Sequence, residues 1–249
     1  MNATIQNLLS HRSIRHYQDK DISDEMLNNI LTAASRGATT GNMQLYSIIV
    51  NKDKNIKQQL APLHFNQPAV IEAPVVLTFC ADFNRFIKWC DLRHAQHGFN
   101  NMQCYTWAVV DAVIAAQNAV IAAESMGLGT CYMGTVTYNV KPLCKLYQLP
   151  KHVVPVACVT IGYPAEQPDL TDRLPLKAVI HQERYHDYSD NDINDIYHEK
   201  EHSELTQQLL ESNKMNNLAQ IFAERRYTKQ DNEHFAKELV DFLVEQDFM

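Results

Sequence analysis

The sequence predicts a fold that mixes helices with buried strands, and three features carry that expectation. Short β-forming runs recur at residues 46–50, 75–81, 130–134 and 153–161. The run 75–81 is apolar but for Thr78 and does not alternate, the pattern of a strand covered on both faces. Between the second and third runs, residues 106–126 are apolar on almost every side. As a helix this segment is about 30 Å long at 1.5 Å per residue, and its apolarity puts it in the middle of the structure. The chain has 249 residues, 45% hydrophobic and 20% charged, the make-up of an ordinary soluble protein that can bury a substantial core. A formal net charge of -7 disfavours a nucleic-acid backbone or an anionic membrane as the main partner, so any anion site must be local.

Residues 1–10 lack the apolar stretch of a secretory signal. Residues 11–17, His-Arg-Ser-Ile-Arg-His-Tyr, place two guanidiniums, a hydroxyl and two imidazoles close together. Such a set suits a phosphate or an electron-rich heterocycle, although the segment alone also reads as a solvated basic turn. Ser23, Asp24 and Glu25 open a helix, whose buried face is Leu27, Ile30, Leu31 and Ala34 and whose end is Gly37. The polar loop Thr39-Thr40-Gly41-Asn42 follows, and its small residues would let a flat ligand approach the backbone. Residues 52–63 predict a surface helix, and Pro74 leads into the second strand.

His94 and His97 have the spacing for a metal held on a helix, but with no clear third ligand they read better as surface histidines. On the long apolar helix, Asp111, Asn118 and Ser125 repeat every seven residues, with Gln117 and Glu124 beside them. Buried polar groups need partners, from neighbouring helices or, the favoured reading, from a second subunit. Gly127 and Gly129 end this helix, and Pro142 opens a short one reaching Tyr147. Gly162-Tyr163-Pro164 turns the chain, and Arg173-Leu174-Pro175 lies in a polar loop. From Ser189 acidic residues dominate, with Phe235, Leu239, Phe242 and Leu243 on one helix face. The expected organisation is therefore a domain over 1–188 with a helical extension, 189–249, packed on it.

The cysteines (Cys80, Cys90, Cys104, Cys131, Cys144, Cys158) form no C-x-x-C pair and read as reduced core thiols of a cytoplasmic protein. There is no dinucleotide fingerprint, no phosphate-loop motif and no nucleophile elbow. An anion site without an acid, base or nucleophile cluster suggests that a cofactor carries the chemistry.

Several stretches, in order along residues 5–188, resemble the FMN-dependent nitroreductase family, and within it the oxygen-insensitive NADPH nitroreductase and flavin reductase group. They are His11-Arg12-Ser13-Ile14-Arg15, Asp82-Phe83-Asn84-Arg85, Val110-Asp111 leading to Ala-Gln-Asn-Ala at 116–119, Ala-Ala-Glu-Ser-Met-Gly at 122–127, and the 162–175 region. The resemblance implies an α+β fold, a central mostly antiparallel sheet wrapped by helices, and an intertwined homodimer with FMN at the subunit interface. It places His11, Arg12, Ser13 and Arg173 at the phosphate and ribityl chain. Arg15 falls near the flavin ring, and Thr39, Gln67, Tyr132, Met133 and Gly134 form the remaining wall. The implied activity is hydride transfer from NADPH or NADH to FMN, then reduction of a nitroaromatic, quinone or free flavin; the protein supplies no catalytic side chain. A flavin store without turnover is the competing reading, with a metal protein using His94 and His97 behind it.

Two departures stand out. Thr171 occupies a position that is commonly lysine in this group, two residues before the arginine of the R-L-P loop. In the tail, where the group grips the 2′-phosphate of NADPH with arginine, residues 190–217 contain no arginine and offer only Lys200 and Lys214. A weak preference for NADPH is expected, with Arg225 and Arg226 as the reserve cations.

Overall fold

A computed structural model describes all residues from Met1 to Met249. Its centre is a four-stranded sheet of β1 (Tyr46–Asn51), β2 (Val75–Asp82), β3 (Gly129–Tyr132) and β4 (Val153–Gly162). The strand order is β1-β2-β4-β3, and every pairing is antiparallel. The register of β2 against β4 shifts between Phe79, opposite Ala157, and Cys80, opposite Pro155. A bulge beside Pro155 is where a residue with no N–H costs the ladder least.

The helices of the sheet region are α1 (Ala3–Leu9), α2 (Asp24–Ser35), α3 (Lys54–Leu60), α4 (Pro68–Glu72), α5 (Asn84–Leu92), α6 (Met102–Ser125) and α7 (Val140–Leu146). Ser23 caps α2 by accepting from Met26 N, and Asp24 and Glu25 follow in its first turn. Val75, Leu77 and Phe79 of β2 pack with α2 and α6, whereas Val76 packs with Leu60, Val70 and Leu143 from α3, α4 and α7. With helices on both faces, β2 has no polar side to display, and its sequence shows no alternation. A third cluster joins Leu45, Phe83, Ala108 and Val154 to Phe242, Leu243 and Phe248 near the C-terminus.

The polar seam of α6 is satisfied within the chain, which corrects the expectation that a second subunit supplies its partners. Asp111, 1% exposed, accepts from Thr40 N at 2.8 Å and Leu45 N at 3.0 Å. Asn118 donates to Ala33 O at the end of α2 (3.2 Å), and Gln117 accepts from Tyr132 OH (3.3 Å). Replacing Asn118 with leucine removes one of two donors on the Ala33 carbonyl, the other being Arg36 N at 3.1 Å, so we expect a loss of about 0.5–1.5 kcal/mol in chemical denaturation with no change in the mass of the assembly. What α6 leaves uncovered is a stripe through Thr106, Val110, Val113 and Gln117, with Val110 48% and Val113 43% exposed.

His94 and His97 do not share a helix, since α5 ends at Leu92 and His94 turns the backbone at φ 54°. His97 instead pairs with Asp91 at 3.2 Å and stacks on Phe99. All six cysteines are buried and unpaired, and burial pushes the Cys144 and Cys158 thiols up to about 12.

The chain divides into two compact units, residues 1–170 with 237–249, and residues 171–236. The division thus falls after Leu170 instead of after residue 188, and the end of the chain belongs to the first unit. The second unit contains α8 (Asp190–His202), α9 (Glu204–Asn213), α10 (Leu218–Ile221) and a π-helical turn (Phe222–Arg226), and α11 (Lys229–Glu245) runs from it into the first unit. Ser189 and Asp192 form a capping box at the start of α8, and the preceding loop is tied to that helix by a Lys177–Asp195 ion pair.

Candidate functional site

Residues 11–17 run as an extended segment along β3. Ser13 bridges Thr130 in parallel fashion, and Ile14 N donates to Thr130 O at 2.8 Å. Ile14 is buried against Gly129, where a Cβ would lie 2.6 Å from the isoleucine side chain. No larger residue fits there unless the segment is pushed off the strand. Tyr17 closes the other end: its buried hydroxyl donates to Ile14 O at 2.7 Å and lies 2.8 Å from Thr160 Oγ1. Burial raises this phenol far above its ordinary range.

Three carboxylates hold the segment from outside the sheet. Glu124 of α6 pairs with His11 Nδ1 at 2.7 Å and accepts from the Thr130 hydroxyl at 2.6 Å. Glu166 accepts from Arg15 N at 2.7 Å and His16 N at 3.1 Å, and those N–H groups hold its carboxyl below the usual range. Glu72 accepts from Tyr17 N at 3.1 Å and pairs with His16 Nδ1 at 3.2 Å. Side chains thus satisfy successive backbone donors that no strand covers, which fixes the path of the chain and the direction of its cations.

Arg12 is anchored at its base, with Nε donating to Pro168 O and one terminal nitrogen to Ser10 O, each at 2.8 Å. Arg15 is exposed and makes one long contact of 3.5 Å to Ser13 O. Beside them opens a cavity of about 510 Å³ lined by His11, Arg12, Ile14, Gly129, Glu166 and Gln167.

The other wall residues stand at the far end of β3. Tyr132 is 39% exposed, and Met133 is buried with its N–H on Cys158 O at 2.8 Å. Around Gly134 nothing lies within 4 Å of where a Cβ would sit, so its backbone faces open space. Gln67 stands just before α4 and donates its N–H to His64 O at 3.2 Å. The His64 ring, fully buried, lies 2.7 Å from the Thr135 hydroxyl and so ties the Gln67 turn to the Gly134 turn.

His11, Arg12, Ser13, Arg15, Gln67, Tyr132, Met133 and Gly134 therefore belong to one connected region around β3. Thr39 adjoins Thr40, whose N–H is bound to Asp111, thirteen residues along α6 from the Glu124 that holds His11 but only six from the Gln117 that meets Tyr132. Arg173 belongs to the second unit, where its guanidinium donates to Thr171 O at 3.2 Å and Asp172 O at 2.9 Å. Sequence reasoning missed Glu72, His64 and Glu166, which sit in stretches with no marking pattern. Glu124 was visible only as a member of the α6 seam.

The model of the nitroreductase family matches residues 8–163. The oxygen-insensitive NADPH nitroreductase of Salmonella typhimurium is 39% identical over 185 residues, 74% of this chain and 75% of that protein. The FMN reductase [NAD(P)H] of Bacillus subtilis is 41% identical over 187 residues, again 74% and 75%. Among solved structures, a candidate oxidoreductase of Bacteroides fragilis is 46% identical over 100% of both chains, with a TM-score of 0.96.

Proposed function

The chain belongs to the nitroreductase family, and from that premise we propose that it is an NAD(P)H-dependent oxidoreductase holding FMN against residues 11–15 and the Tyr132–Gly134 strand end. Its acceptors, on this reading, are nitroaromatics, quinones or free flavin. The single observation that carries the placement is the open backbone at Gly134. A flat ring system can approach it without displacing a side chain, just past the end of the strand that the segment of Ser13 and the two arginines bridges. The residues fit the cofactor: hydroxyl, guanidinium and imidazole donors for a phosphate at one end, an unobstructed strand at the other. Bound there, FMN supplies two-electron exchange between a reduced nicotinamide and an oxidised acceptor.

The chain's own residues bind and orient. Ser13 and Arg12 offer donors to an anion, and Glu124 keeps His11 in place by taking its Nδ1. Arg15, with its backbone fixed by Glu166 and its guanidinium in solvent, is the cation available to offset negative charge gained on reduction. On this reading no side chain has to pass a proton. Purified protein should be yellow, with one FMN per chain; colourless protein that does not take up added FMN would refute the reading.

A homodimer in the cytoplasm completes the proposal. The half-exposed valines of α6 offer an apolar stripe for a second copy. We expect light scattering to give twice 28.5 kDa, whereas the monomer mass would count against the dimer.

The nicotinamide preference is expected to be weak. Lys200 is flanked by Glu199 and Glu201 and paired with Asp172 at 2.6 Å, so little of its charge is left for a 2′-phosphate. Arg226 lies over the Phe222 ring, 5.5 Å from its centroid, which leaves Arg225 as the neighbouring cation without that contact. The ratio of kcat/KM for NADPH over NADH should stay below about tenfold, which is about 1.4 kcal/mol. A ratio of a hundredfold that Arg225→Ala abolishes would show that this residue reaches the phosphate.

A further inference from the structure

We propose that Phe65 is a specificity-determining residue, a ring presented for stacking against planar aromatic acceptors. The proposal rests on the placement of the FMN site beside Gln67 and Gly134.

Phe65 has a conformation that its own packing does not explain. It stands at φ 54° and is followed by Asn66 at φ 55°, both in the left-handed region that a bulky side chain rarely adopts. Backbone bonds lock the pair, with Phe65 N donating to Pro62 O at 3.2 Å and Asn66 N to Ala61 O at 2.7 Å. The geometry does not serve to bury the ring, which is 54% exposed. A strained backbone that holds a large apolar ring in water is unfavourable twice over, and such residues gather where a ligand is met.

The neighbours say which ligand. Phe65 lies between His64 and the Gln67 turn, and its ring faces Tyr138 at 6.1 Å between centroids, tilted by 38°. The two segments are clasped at two further points, His64 to the Thr135 hydroxyl at 2.7 Å and Asn139 Nδ2 to Leu63 O at 2.8 Å. The ring is therefore fixed to the same turn that exposes the Gly134 backbone. Its chemistry is apolar and aromatic with no charge, which selects flat, electron-poor rings over small inorganic acceptors.

The test compares two acceptors with NADPH as the common reductant. A nitroaromatic takes electrons while presenting a ring; ferricyanide has no ring, and two ions take one electron each per NADPH. Phe65→Gly removes the ring and suits the left-handed backbone, so the variant should melt no lower than wild type. We expect its kcat/KM for the nitroaromatic to fall about tenfold more than that for ferricyanide, mostly through KM, and Phe65→Trp to restore the ratio. An unchanged ratio in a folded, FMN-loaded Phe65→Gly protein overturns the assignment. So does a fall to monomer mass with selectivity intact, which makes Phe65 a subunit contact. Wild-type protein that neither binds FMN nor oxidises NADPH would instead refute the functional reading, and this proposal with it.

Discussion

Replacing Arg12 and Ser13 together by alanine is expected to weaken FMN binding by about 3–5 kcal/mol, the sum of two hydrogen bonds to a charged group. At 1.4 kcal/mol per decade, that loss is on the order of a hundred- to several-thousandfold in Kd, easily read by fluorescence titration of the apoprotein. The size follows from what already fixes these residues. Ser13 is pinned by its bridge to Thr130, and Arg12 by carbonyls of Ser10 and Pro168, so neither must be newly ordered when an anion arrives. The double variant should fold normally, because the anchors of the segment, Ile14, Tyr17 and the three carboxylates, remain. Unchanged affinity would mean that the phosphate lies elsewhere.

The second large effect concerns acid stability. His64 is fully buried, and burial alone pushes its imidazole down from 6.5 to about 4. The folded chain therefore holds this ring neutral, whereas the unfolded chain protonates it as pH falls below 6.5. The stabilisation is fully present above pH 6.5 and is lost progressively between 6.5 and 4. At 1.36 kcal/mol per unit it amounts to about 3 kcal/mol across that window. Denaturation of wild type and His64→Asn across that range should give curves that diverge by about this amount, since asparagine can still pair with Thr135 but does not titrate. Parallel curves would show that the ring takes up its proton inside the fold as readily as in the unfolded chain. The ring's other nitrogen, Nε2, is buried without a partner, so protonation has nothing to stabilise it.

The sheet was legible because its central strands are covered on both faces, and continuous apolarity is a pattern a sequence displays. The start of α2 was legible because a capping serine followed by two acids is a local device. The seam on α6 was seen but assigned to the wrong partner. A seven-residue repeat shows that Asp111 and Asn118 share a side of the helix; it cannot show that Thr40, Leu45 and Ala33 of the same chain come back to meet them.

The boundary set after residue 188 mistook the start of α8, marked by the Ser189 capping box, for the edge of a unit. Residues 171–188 are bound to that helix by Lys177 and Asp195, a link no composition shift reveals. Within the site, the donors of residues 11–15 stood out by their density. The carboxylates that hold them did not, because Glu72 and Glu166 act from 55 and 151 residues away. Thr39 was carried over by resemblance, and its neighbour Thr40 is tied to Asp111, six residues along α6 from the Gln117 that meets Tyr132.

Anaerobic mixing of the purified protein with NADH and with NADPH, followed by a nitroaromatic, tests the central claim most directly. Loss of the yellow colour within seconds of adding either nicotinamide, and its return when the acceptor is added, is the expected result. Protein that carries FMN yet stays yellow with both nicotinamides would contradict it.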